Sequence, residues 1–134
     1  MQILKPIVHQ TVWGGSKLTP YSGSGCTSIG HLYSAIDTDD FCNEIIAGSH
    51  AGKSLHEWYL AHREQYGLTR YAQLPVLMAL VEARDNLSIQ VHPNDEMAAK
   101  LIGHAHGKNE SFYTLIPPPA ARCTTAARPP TPPR

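Results

Sequence analysis

A mainly β fold with one or two short helices is what this sequence predicts, on three observations. Two stretches, Leu87 to Asp95 and Gly107 to Leu115, alternate apolar and polar residues with a period of two, the signature of a strand with one buried face. Only one segment, Ser54 to Gly67, carries a strong helical pattern with a start and a stop signal. The segments between are short and punctuated by Gly, Pro, Ser, Asn and Asp, as in folds built from hairpins and loops.

In Leu87-Ser88-Ile89-Gln90-Val91-His92 the apolar residues Leu87, Ile89 and Val91 fall on one face, and Ser88, Gln90 and His92 on the other. Pro93 cannot donate to a ladder, and Asn94 ahead of Asp95 and Glu96 is a helix start, so the strand should end after His92. A short helix over Asp95 to Ile102, closed by Gly103, follows. In Gly107 to Leu115 the residues Lys108, Glu110 and Phe112 share a face. With the polar faces of two such strands aligned in one sheet, an amide, an imidazole and a carboxylate converge, a donor set that suits a divalent zinc ion.

The rest of the chain fills in around these stretches. Residues 3–18 read as an edge strand broken by Pro6 and entering a Gly14-Gly15 turn, with Trp13 either packed or lining a sugar site. Residues 19–30 read as a loop. Leu32 to Ile36 and Phe41 to Ile46 read as two strands joined by the solvated turn Asp37-Thr38-Asp39-Asp40, which lacks the Gly and distal Glu of a calcium loop. Ser54-Leu55-His56-Glu57 is a capping box. His56-Glu57 with His62 is not a zinc-protease motif, because the second His falls at i+6 instead of i+4. Leu74 to Val81 is an apolar run of buried-strand length, and His104 and His106 fall in a Gly-flanked loop.

Composition narrows the function classes. The 134 residues, 42% of them hydrophobic and with zero formal net charge, fit one soluble domain with a core. Nothing in the charge pattern points to nucleic acid, and the sequence shows neither a membrane span nor a secretory pattern, so a cytoplasmic location is expected. Cys26, Cys42 and Cys123, odd in number and widely spaced, read as free thiols. After Ile116 the composition changes: residues 117–134 hold seven of the chain's 11 prolines, three arginines and no acid. Such a segment builds no core and reads as a disordered tail, an out-of-frame or truncated end ahead of the alternative, a polyproline helix that recruits a partner. Residues 1–116 carry 8 basic and 11 acidic groups, a net of −3, against +3 for the tail.

The motif Ser88-Ile89-Gln90-Val91-His92-Pro93-Asn94-Asp95, followed by Gly107-Lys108-Asn109-Glu110-Ser111-Phe112-Tyr113, resembles the core of the type I mannose-6-phosphate isomerases, a zinc-dependent family with a cupin (β jelly-roll) fold. Val12-Trp13-Gly14-Gly15, Gly52-Lys53-Ser54-Leu55 and Leu74-Pro75-Val76-Leu77 extend the resemblance over residues 3–116. Ile29-Gly30-His31 departs from it, standing where the family carries an acidic Gly-Glu signature. The resemblance implies interconversion of mannose 6-phosphate and fructose 6-phosphate through an enediol, with Gln90, His92 and Glu110 as zinc ligands and Ser88 and Lys108 facing the phosphate or nearby sugar oxygens. It also places a fourth ligand, a His, and an active-site Arg on strands beyond residue 116, so that these residues form an incomplete jelly roll with impaired turnover. The alternative is a non-catalytic cupin-like module that binds zinc or a sugar phosphate.

Overall fold

The computed structural model describes residues 1–103 and 107–116. The loop histidines His104 and His106, the Pro-rich segment 117–134 and Cys123 lie outside the described residues. Two compact units make up the chain, Met1 to Ile89 and Gln90 onward.

The first unit is mainly β. Strand β1 (Ile3–Leu4) pairs antiparallel with β4 (Ile45–Ala47) in one small sheet. Strands β2 (Ile7–Gly15), β3 (Ile29–Ala35) and β5 (Met78–Val81) form a second, antiparallel sheet in the order β2-β3-β5. β2 is an edge strand, as its sequence suggests. Gly14 and Gly15, however, lie within the strand and not in a turn. The reason for Gly14 is packing: a Cβ there would meet the backbone of Ile29 and Gly30 at 2.6 Å, so only glycine lets β2 approach β3. The turn comes later, where Thr19 N–H donates to Ser16 C=O at 3.1 Å, and it leads into a short helix α1 (Thr19–Ser22) with Pro20 in its first turn, inside the stretch expected to be a loop.

The hairpin expected over residues 32–46 forms only in its turn. Thr38 N–H donates to Phe41 C=O at 2.8 Å and Asp37 bridges Cys42, but β4 then leaves β3 and pairs with β1. Asn43 makes this departure possible. It is fully buried, its Oδ1 accepts from Ile36 N–H at 2.6 Å, and its Nδ2 donates to Lys5 C=O at 2.8 Å and Tyr33 C=O at 3.2 Å. Backbone groups that would have paired along a continued hairpin are thus satisfied by a side chain. The expected buried strand at 74–81 is also corrected: only Met78 to Val81 is strand, it is the second edge of its sheet, and Val76, Leu77 and Met78 are more than half exposed.

Helix α2 (Leu55–His62) forms where the capping box predicts, with both reciprocal bonds of Ser54 and Glu57 present. Its last turn tightens to a 3-10 turn over Arg63–Tyr66, ended by Gly67 in the left-handed conformation. The Glu57 carboxyl is held below the usual carboxylate range, first by the backbone N–H of Ser54 and then by its hydroxyl. The bonds to Ser54 are therefore strongest when Glu57 is ionised, and the stability they lend is lost as pH falls through its lowered pKa. Leu55 and Tyr59 bury the inner face of α2 within a core that also holds Ile29, Leu32, Ile36 and Ile45. The Tyr59 hydroxyl lies 3.0 Å from both Leu68 C=O and Tyr71 C=O, which ties the segment after the helix back onto it. Replacing Ser54 with alanine is expected to destabilise the chain by about 1 kcal/mol, the usual loss of a cap, read from urea unfolding. No change would mean that water replaces the cap.

The second unit holds helix α3 (Asp95–Ile102). As expected, Asn94 caps it, accepting from Met97 N–H at 2.9 Å, and Gly103 closes it in the left-handed conformation. The strands expected on either side are absent: residues 82–94 and 107–116 carry no ladder. Ile89 and Val91, expected in a core, are about 100% and 90% exposed, and Phe112 and Leu115 stand mostly in solvent. Alternation sets which face a strand would bury, but a strand also needs a neighbour to pair with, and among the described residues none pairs here.

Candidate metal and sugar-phosphate site

His92, Lys108 and Glu110 are brought together in the second unit by the start of α3 and not by a ladder. Lys108 N–H donates to Pro93 C=O at 3.1 Å, and Gly107 N–H to the carboxylate of Asp95 at 2.7 Å. A Cβ on Gly107 would meet Pro93 C=O at 2.5 Å and the backbone of Asn94 at 2.6 Å, so this close return of the chain needs glycine. The return carries Glu110 back to His92.

His92 Nε2 and Glu110 Oε2 are 3.1 Å apart, with side chains 25% and 29% exposed. Lys108 Nζ lies 3.1 Å from Glu110 Oε1 on the other side of the same carboxylate. Glu110 is therefore shared between an imidazole and an ammonium. An open cleft of about 460 Å³ adjoins His92, lined by Val91, Pro93, Asn94, Met97 and Leu101. Ser88 and Gln90 are solvent-exposed.

An imidazole and a carboxylate are donor types that a borderline divalent ion accepts. At 3.1 Å the His92–Glu110 pair is in direct hydrogen-bond contact, a little short of the roughly 3.2–3.5 Å that separates two ligands bound at about 2.0–2.2 Å on a tetrahedral ion. Among the described residues no group of three His, Cys, Asp or Glu is placed to hold a metal. A third protein donor in the expected set would be the amide oxygen of Gln90, a type of ligand that a borderline divalent ion accepts.

A second polar constellation, in the first unit, is one that the sequence does not reveal. Asp37, expected in a solvated turn, is buried, and its carboxylate accepts from His56 Nδ1 at 3.0 Å and from Leu74 N–H at 2.9 Å. It fastens the β3 turn to α2 and to the segment ahead of β5. Thr38, Cys42, Ser54 and Gln73 share a shallow cavity of about 250 Å³ with the pair. Nineteen residues separate the partners, so no local spacing announces them. Cys26 and Cys42 are free thiols, as expected. Trp13 is half-buried, its ring nearly perpendicular to that of His31 at 5.1 Å between ring centres. Among the described residues, no helix is long and apolar enough to cross a membrane.

Comparison with known proteins places these features. Residues 1–115 match the family model "Phosphomannose isomerase type I, catalytic domain". The chain is 30% identical over 114 residues to mannose-6-phosphate isomerase from Streptococcus mutans serotype c, covering 84% of this chain and 36% of the relative. A probable mannose-6-phosphate isomerase, GmuF, of Bacillus subtilis gives the same identity and coverage. The crystal structure of mannose 6-phosphate isomerase from Bacillus subtilis superposes with a TM-score of 0.69 and 27% identity, over 79% of this chain and 34% of that one. The fold is thus the mainly β, cupin-type fold of that enzyme. The chain spans about a third of the length of the curated relatives it matches.

Proposed function

Because this chain belongs to the type I phosphomannose isomerase family, whose catalytic-domain model it matches over residues 1–115, we propose that residues 1–116 supply the first part of a zinc-dependent site for interconverting mannose 6-phosphate and fructose 6-phosphate in the cytoplasm. The observation that carries this reading is the contact chain His92–Glu110–Lys108, two metal-competent donors and one cation joined at 3.1 Å each.

Gln90, His92 and Glu110 would hold the ion. When bound, zinc supplies Lewis-acid polarisation of the sugar's carbonyl and hydroxyl oxygens at C1 and C2. The chain's own groups do the rest of what is assigned here. Lys108, 56% exposed in its side chain, presents a mobile point charge to a phosphate or to sugar oxygens while Glu110 keeps it near the site. The family resemblance assigns Ser88, a hydroxyl donor, to the phosphate or nearby sugar oxygens. The apolar lining from Met97 and Leu101 gives the cleft beside His92 a wall that can exclude water from one side of a bound sugar.

His92→Ala is expected to reduce zinc content at least about tenfold, because a three-donor set that loses its imidazole is left with two oxygen ligands. Metal analysis of purified wild type and variant decides it, and equal zinc in both would remove His92 from the site. The second reading is a module that binds zinc or a sugar phosphate without turnover. Zinc binding without conversion of mannose 6-phosphate separates the second reading from the first.

A further inference from the structure

The exposed face of the β2-β3-β5 sheet carries a cluster that the isomerase reading leaves unused. His9 and His31 stand directly opposite each other in the antiparallel register of β2 and β3. Their Nδ1 atoms are 3.4 Å apart, their ring centres are 5.5 Å apart, and the ring planes diverge by only 27°. With the nitrogens so much closer than the centres, the two rings lie nearly in one plane and turn their Nδ1 edges toward each other.

We propose that His9 and His31 form a two-histidine chelate for a divalent transition metal, separate from the Gln90, His92 and Glu110 set. Two imidazole nitrogens bound at about 2.0–2.1 Å at a tetrahedral angle stand roughly 3.3–3.4 Å apart. The pair is already at that spacing, which is longer than the range of about 2.7–3.2 Å favoured by a direct hydrogen bond from N–H. The backbone ladder fixes both Cα positions, so little chain entropy is lost on binding. Tyr33, parallel to the His31 ring at 8° and 5.5 Å between centres, and Trp13, edge-on to it at 5.1 Å, brace that imidazole. His9 is exposed, leaving room for water to complete the coordination shell. Imidazole pairs accept copper, nickel and zinc, with copper(II) held most tightly at a given donor set. The Trp13 indole, 5.1 Å from the His31 ring centre, is therefore a close neighbour of the proposed ion.

That neighbour supplies the readout. The chain has two tryptophans, so in a Trp58→Phe background Trp13 is the sole indole, and copper(II) bound at the pair quenches its fluorescence. Titration with copper(II) is expected to give saturable quenching with a stoichiometry of about one. His9→Ala and His31→Ala should each weaken it about tenfold or more, whereas His92→Ala and Glu110→Ala leave it unchanged. The same ion should raise the melting temperature of the parent and not of His9→Ala, a second readout that depends on one exposed side chain and does not threaten the fold. Quenching that survives in both His9→Ala and His31→Ala, or that is lost only with His92, would overturn the proposal while leaving the isomerase reading where it stands.

Discussion

Asn43→Ala is expected to lower the stability of this chain by about 3 kcal/mol or more. The carboxamide serves three backbone groups at once, Ile36 N–H, Lys5 C=O and Tyr33 C=O, from a position with no solvent exposure. Truncation takes the side-chain partner from one buried donor and two part-buried acceptors, and a buried group so orphaned costs roughly 1–3 kcal/mol. The backbone of Asn43 continues to bond Ile36 C=O and Leu55 N–H, so the loss belongs to the side chain alone. Asn43→Asp should be as damaging, because the second carboxylate oxygen faces two carbonyls where an N–H₂ stood. Urea unfolding of the three proteins measures it. A midpoint for Asn43→Ala within the error of the parent would show that water takes over the three contacts.

Asn43 also marks where the sequence stops being legible. The caps of α2 and α3 are readable because their partners lie three residues away: Ser54 with Glu57, Asn94 with Met97. Partners of Asn43 lie up to 38 residues away, and Asp37 reaches 19 residues to His56 and 37 to Leu74. A side chain that closes two strands and a side chain in a solvated turn have the same local spelling. The site shows the same division. Residue types and spacing name Gln90, His92, Lys108 and Glu110, yet the contact between His92 and Glu110 comes from Gly107 and Lys108 bonding to Asp95 and Pro93. The alternation around Ile89 reads as a strand because period and β-branched residues are local, whereas pairing requires a neighbour that no local pattern names. His9 and His31, 22 residues apart, become a pair only through the register of β2 on β3.

A polypeptide of these 134 residues, loaded with zinc, is expected to convert mannose 6-phosphate at least about 10⁴-fold more slowly than the full-length Bacillus subtilis relative. A zinc-dependent aldose–ketose isomerisation draws on preorganised positive charge at the developing enediolate and on a firmly held ion, and the family resemblance assigns an Arg and a fourth His ligand to strands beyond residue 116. Removing one such electrostatic group elsewhere costs on the order of 3–4 kcal/mol of transition-state stabilisation. Two such losses together slow the chemical step by roughly 10⁴-fold or more. Packing works in the same direction: Ile89 and Val91 beside the proposed ligands are exposed, and among the described residues no ladder surrounds Gln90 and His92 to hold them to the tolerance catalysis needs. A coupled assay for fructose 6-phosphate, run beside a zinc titration of the same preparation, separates failure to bind the ion from failure to turn over. Conversion within about a hundredfold of the relative would refute the expectation. It would place the missing ligand and charge within these 134 residues, and His104→Ala and His106→Ala would then be the first variants to test.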